Sequence, residues 1–143
     1  MNLNKLIPQK INFNKSISNH QDLLNTIILE SNVLVIGGAG TIGSSYIKQI
    51  LKYKPSKITV VDINENGLTE LTRDLRSSSL LDYKPEYITY PVNLLSDTFD
   101  KIFNSDRWQV VANFSAHKHV RSEKDKISVE ALIKNNVLEL SNF

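Results

Sequence analysis

The chain has 143 residues, 41% of them hydrophobic and 22% charged, which suits one domain with a buried core. Its 17 basic and 15 acidic side chains leave a formal charge of +2, too small and too dispersed for a nucleic-acid-binding stripe. The absence of cysteine excludes disulfides, thiolate zinc sites and cysteine nucleophiles. The opening residues show no signal-peptide core, and no stretch reaches the roughly 18 apolar residues of a membrane span. A soluble cytoplasmic domain is the expectation.

Residues 1–31 read as an N-terminal extension. Ser18 and Gln21 have capping-box spacing ahead of Leu23, Leu24, Ile27 and Ile28, which predicts a short amphipathic helix packed on the flank of a sheet. From residue 32 to 143 short β-rich runs alternate with helical ones. "NVLVI" (32–36) predicts a first strand, stopped by a glycine cluster. "TIGSSYIKQILKY" (41–53) carries Ile42, Tyr46, Ile47 and Ile50 at helical spacing, and Pro55 bars its continuation. "KITVVD" (57–62) is the second strand, and "ENGLTELTRDLRSS" (65–78) a helix with Leu68, Leu71 and Leu75 on one stripe. "EYITYPV" (86–92), "DTFDKIF" (97–103) and "WQVVANFSA" (108–116) predict a strand, a short helix and a fourth strand. A last helix is expected from about Lys124 to Leu140. The alternation implies an α/β, Rossmann-like, three-layer domain. Its parallel sheet should have the order 3-2-1-4 with helices on both faces, ending after the fourth strand and its helix.

"VLVIGGAGTIG" (33–43) fits two glycine patterns, Gly38/Gly40/Gly43 and Gly37/Gly40/Gly43. The apolar run ends at Ile36 and glycine follows at once. The longer pattern starting at Gly37 is therefore preferred, with Gly38 as an added permissive position. A helix that starts directly after a strand offers unpaired N–H groups and a positive dipole end to a phosphate, and glycine lets the backbone approach. A tight strand-to-helix turn also requires glycine with no ligand at all. Asp62 ends the second strand about 20 residues beyond the loop, the offset of an acid that binds a ribose. A carboxylate there accepts from ribose hydroxyls and repels a 2′-phosphate, so NAD is expected over NADP. Its plainer role is to start a turn or cap the next helix.

With these elements in order, the chain resembles the extended short-chain dehydrogenase/reductases, and more narrowly the nucleotide-sugar 4,6-dehydratase/epimerase branch of polysaccharide biosynthesis. "VLVIGGAGTIGSS", "VVDINENGLTELTRDLRSS", "NFSAHKHVRSEKD" and "NNV" carry the resemblance, over roughly residues 33–137. Ile36 stands where the family usually has threonine. The resemblance implies that Thr41 and Ile42 meet the pyrophosphate through backbone N–H groups beside Gly37, Gly40 and Gly43. It places Ile63 and Asn64 with Asp62 at the cofactor. It sets Asn93, where aspartate is common, at the adenine amino group, with Leu94 next to it. Ser115 and Ala116 fall beside the nicotinamide ribose. Lys118 falls near the junction with a sugar nucleotide, where it reads equally as a surface lysine capping a turn.

Two tempting patterns are set aside. "HKH" (117–119) has a chelating spacing, but the remaining histidine, His20, is distant and no acid stands adjacent, so no metal is expected. Tyr53 and Lys57 match the tyrosine/lysine spacing of short-chain dehydrogenases, yet Pro55 between them denies helical alignment. The family's own dyad, beyond a fifth strand, does not occur before Phe143.

The expectation is an NAD(P)-binding domain of a nucleotide-sugar dehydratase or epimerase that is not catalytically competent alone. It meets a nucleotide sugar only if another part supplies the rest. A non-catalytic module binding NAD or an adenine nucleotide is the alternative. The fourth strand would be an open edge, which predicts self-association there or cover by the N-terminal extension or the last helix.

Overall fold

The computed structural model describes residues 13–116, 125–134 and 136. Helices α1 (Phe13–Asn19) and α2 (Gln21–Ile28) precede strand β1 (Asn32–Ile36). Helix α3 (Thr41–Ile50) runs into a single 3-10 turn (Leu51–Tyr53), followed by β2 (Lys57–Val61) and α4 (Glu65–Ser77). Then come β3 (Glu86–Tyr90), α5 (Asp97–Asn104), β4 (Val110–Asn113) and α6 (Lys126–Ile133). All strand pairs are parallel, in the order β3-β2-β1-β4. This is the Rossmann-like order expected from right-handed crossovers.

Strand β1 lies between two neighbours and under helices on both faces, so Val33, Leu34, Val35 and Ile36 are all buried. A continuous apolar run is what a central parallel strand requires. Alternation divides the core in two. Val33, Val35, Ile58 and Val60 meet Ile47 and Ile50 of α3 and Leu68, Leu71 and Leu75 of α4. On the other face Leu34, Ile36 and Val61 meet Phe99 and Ile102 of α5. Helix α3 stops where Lys54 turns left-handed, at φ 57°, and buried Pro55 follows.

The N-terminal extension departs from the capping-box reading. It forms two helices, and Ser18 lies inside α1 with its hydroxyl donating to the Lys15 carbonyl oxygen at 3.5 Å. Position 20, a histidine, precedes α2 without a side-chain cap. The reason is local: a serine inside a helix bonds back to the preceding turn. Helix α2 does pack on the flank of the domain, with Ile28 buried and Leu24 against the larger core cluster. Strand β4 is shorter than expected, although the Phe114 N–H still donates to the Ile36 carbonyl at 2.8 Å. Asp125 caps α6 by accepting from the Ser128 N–H. The described part of α6 buries no residue, Ile127 is 79% exposed, and Val111 on the β4 edge is 45% exposed.

At the N-terminal end of the sheet, Lys57 Nζ bridges Asp106 at 3.0 Å and Glu86 at 3.1 Å, and lies 5.9 Å from the centre of the Trp108 ring. This settles the Tyr53/Lys57 spacing: the lysine is spent on a structural clamp, at the end of β2 remote from Asp62. The Lys57 hydrogen bond, then the Arg107 N–H, hold the Asp106 carboxyl below its usual range. The bond to Asp106 likewise raises Lys57. A lowered acid stabilises fully above its unfolded value and stops doing so as pH falls through the lowered one. A raised lysine stabilises below its unfolded value and stops as pH rises through the raised one. Lys57→Met should therefore flatten the acid limb below about pH 4. Urea midpoints at stepped pH measure this, and equal acid slopes in the two proteins would reject it.

Candidate functional site

The chain leaves β1 toward β2 on one side and reaches β4 on the other, and a crevice forms at such a switch point. A cleft of about 260 Å³ opens there. It is lined by the strand ends Ile36, Val61, Val92 and Phe114, by Gly37, Gly40, Asp62, Asn93 and Ser115, and by Ile63, Leu94 and Ala116.

The loop glycines divide into those the fold needs and one it does not. Gly37 has φ 72°, and a Cβ there would lie 2.5 Å from Ser115 N and 2.7 Å from the Phe114 carbonyl carbon. A Cβ on Gly38 would collide with the Val60 side chain and reach within 3.0 Å of Ile47. Gly38 is thus a packing position between loop, sheet and α3, which corrects its reading as merely permissive. A Cβ on Gly43 would overlap the Gly37 carbonyl, so the first turn of α3 rests directly on the loop. Gly40 differs: its φ of −72° and ψ of 166° suit any residue, and a Cβ would meet nothing closer than the Gly37 oxygen at 3.5 Å.

Gly40 is also the N-cap of α3, and no side chain caps that helix. Helices α4, α5 and α6 are each capped from within, by Asn64, Ser96 and Asp125. By helix geometry the N–H groups of Thr41, Ile42 and Gly43 have no intrahelical acceptor, so the positive end of α3 faces outward uncapped. Asp62 sits across from it. Its Oδ2 accepts from the Ala39 N–H at 2.9 Å and its Oδ1 from the Asn64 N–H at 2.9 Å, tying the glycine loop to the end of β2. Each oxygen keeps a second lone pair. Ser115 gives both its N–H, at 2.8 Å, and its hydroxyl, at 2.6 Å, to Asn113 Oδ1. Asn93 Oδ1 accepts from the Leu95 N–H at 2.9 Å.

Of the residues expected at a cofactor, the cleft gathers Gly37, Gly40, Asp62, Ile63, Asn93, Leu94, Ser115 and Ala116. Thr41 and Ile42 stand exposed at the start of α3, beyond the lining. Gly43 is buried beneath the loop, and Asn64 accepts from the Gly67 N–H at 3.0 Å as the cap of α4. Lys118 and the "HKH" histidines lie outside the described residues. The apolar lining residues Ile36, Val61, Val92 and Phe114 were missed. Their signal was position: each stands at or just before the C-terminal end of a predicted strand. No helix among the described residues is long and apolar enough to cross a membrane.

A 3-2-1-4 parallel sheet, a glycine turn between β1 and α3, and an acid closing β2 define a Rossmann-type domain. The chain belongs to the family described as polysaccharide biosynthesis protein, whose match covers residues 33–143. This upholds the resemblance carried by the glycine loop and "SAHKHVRSEKD". The uncharacterized membrane protein MJ1061 of Methanocaldococcus jannaschii is 42% identical over 60 residues, covering 42% of this chain and 18% of that protein. The capsular polysaccharide biosynthesis protein CapD of Staphylococcus aureus is 26% identical over 121 residues, covering 84% of this chain and 20% of that one. The Bordetella bronchiseptica enzyme WbmF, solved in complex with NAD+ and UDP, superposes with a TM-score of 0.57 at 21% identity, over 80% of this chain and 32% of the solved chain. The chain thus spans a fifth or less of the length of these two relatives.

Proposed function

We propose that this chain binds NAD, in preference to NADP, as the cofactor-holding part of an enzyme that modifies a nucleotide sugar for polysaccharide synthesis. The observation that carries the reading is Gly40. Neither its backbone angles nor its surroundings call for glycine, yet Gly40 lines the cleft and is itself the N-cap of the uncapped start of α3, where a side chain would take up room. A diphosphate needs that space and those N–H groups. The lone pairs left on Asp62 suit the paired hydroxyls of a ribose, and its charge disfavours a 2′-phosphate. The family match, and the solved relative holding NAD+ and UDP, support the same assignment.

When bound, the nicotinamide ring supplies the hydride acceptor and donor. This chain's own residues grip the diphosphate and ribose. In the cleft the Ser115 hydroxyl donates to Asn113 Oδ1, and Asp62 accepts from two backbone N–H groups while keeping a lone pair on each oxygen for the ribose. In this proposal the sugar and the acid/base pair belong to further structure that this chain meets, and the chain by itself binds without turnover.

Titration calorimetry with NAD, NADP and ADP tests the reading. NAD and ADP should bind at one site and NADP more weakly, and silence with all three would end the proposal. Asp62→Asn removes the charge and should move the NAD-to-NADP ratio toward NADP by about tenfold. Tighter NADP binding by the unaltered chain would overturn the role given to Asp62.

A further inference from the structure

The cleft can be followed outward along the sheet. Phosphate on α3 lies over the end of β1, and ribose on Asp62 over the end of β2. In a sheet ordered β3-β2-β1, the next position outward is the end of β3, where Val92, Asn93 and Leu94 line the cleft beside Ile63. Ile63 is 75% exposed, an apolar surface without cover and broad enough for one face of a base. Asn93 is the polar side chain at that end.

The Asn93 amide has a fixed orientation. Only its oxygen can accept from the Leu95 N–H, so Oδ1 faces the turn and Nδ2 faces away. The turn is fastened further by the Asn93 carbonyl, which accepts from the Ser96 N–H at 3.1 Å and the Ser96 hydroxyl at 2.7 Å. Ser96 in turn caps α5 by accepting from the Phe99 N–H. Flipping the amide would set its NH2 against the Leu95 N–H and break this arrangement.

We infer that Asn93 reads the base of the dinucleotide as a hydrogen-bond donor, which makes a 6-oxopurine at least as acceptable as adenine. The inference rests on the NAD-binding reading above. At position 6 adenine presents an amino donor and hypoxanthine a carbonyl acceptor. An Nδ2 donor complements the carbonyl and opposes the amino group. A carboxylate at the same position would do the reverse, since it can only accept. Asn93 is in this sense a specificity-determining residue, and its effect comes from the turn that holds its oxygen toward the Leu95 N–H and leaves its NH2 facing away.

The test is calorimetry of NAD and of nicotinamide hypoxanthine dinucleotide against the unaltered chain and Asn93→Asp. Aspartate keeps an acceptor for the Leu95 N–H, so the turn survives, and a thermal melt verifies this. The unaltered chain should bind the hypoxanthine dinucleotide within about threefold of NAD, or more tightly. Asn93→Asp should shift the ratio toward NAD by about tenfold. A preference for NAD of more than about tenfold in the unaltered chain, or a ratio unmoved by the substitution, would overturn the inference and leave NAD binding standing. If neither dinucleotide bound the unaltered chain, the NAD-binding reading itself would fall, and this inference with it.

Discussion

Gly37→Ala is expected to destabilise the domain by about 3 kcal/mol, combining a left-handed backbone penalty of about 1–2 kcal/mol with an overpacking penalty of similar size. The backbone at residue 37 is left-handed, at φ 72°, and the added methyl would press on Ser115 N at 2.5 Å. Those contacts are backbone, and β4 holds them in register through the Phe114 N–H on the Ile36 carbonyl. The loop cannot relax outward either, because the Gly37 carbonyl supports the first turn of α3 at Gly43. Relief would require β4 to move away from β1, which strains the Leu34–Val111 and Val35–Ala112 pairings. For a domain of this size the loss corresponds to a melting temperature lower by about 10 °C. Urea unfolding gives the energy directly. An unchanged midpoint would mean that β4 and the loop are not in the close contact described here.

The same contacts show what sequence spacing can and cannot reveal. Strand β1 was legible because a strand covered on both faces must be apolar at every position, and Val33–Ile36 is. The stripe Leu68, Leu71 and Leu75 was legible for the equivalent helical reason. Gly38 was not. Its requirement is set by Val60, on a strand that the local pattern does not connect to it. The Ser18 capping box failed because Ser–x–x–Gln occurs as readily inside a helix as at its start, and only the backbone path tells which. The cleft was half legible. Glycines and Asp62 announce themselves by type, whereas Val92 and Phe114 are ordinary apolar residues until four strand ends converge on them. The orientation of Asn93 is a matter of one bond to an N–H two residues on, and a side-chain turn of that kind is readable only once the start of α5 is known.

Gly40→Ser should separate folding from binding. Residue 40 already has the extended conformation of an N-cap, at φ −72° and ψ 166°, and serine is among the best residues there. Its hydroxyl would accept from an N–H of the first turn of α3, as Ser96 does for α5. Stability should therefore stay level or rise by a few tenths of a kcal/mol, about the margin of serine over glycine at such a position. Dinucleotide affinity should fall about 100-fold. The hydroxyl would occupy the N–H group and the space that a diphosphate requires, and a hydrogen bond to a charged group is worth about 1.5–3 kcal/mol. Gly37→Ala cannot make this distinction, since it damages the fold and the site together. Melting curves and NAD calorimetry on the one variant decide the matter. A better-capped helix that still bound NAD at the original strength would show that glycine at 40 is not there to make room for a ligand's phosphates, and that α3 is uncapped for some other reason.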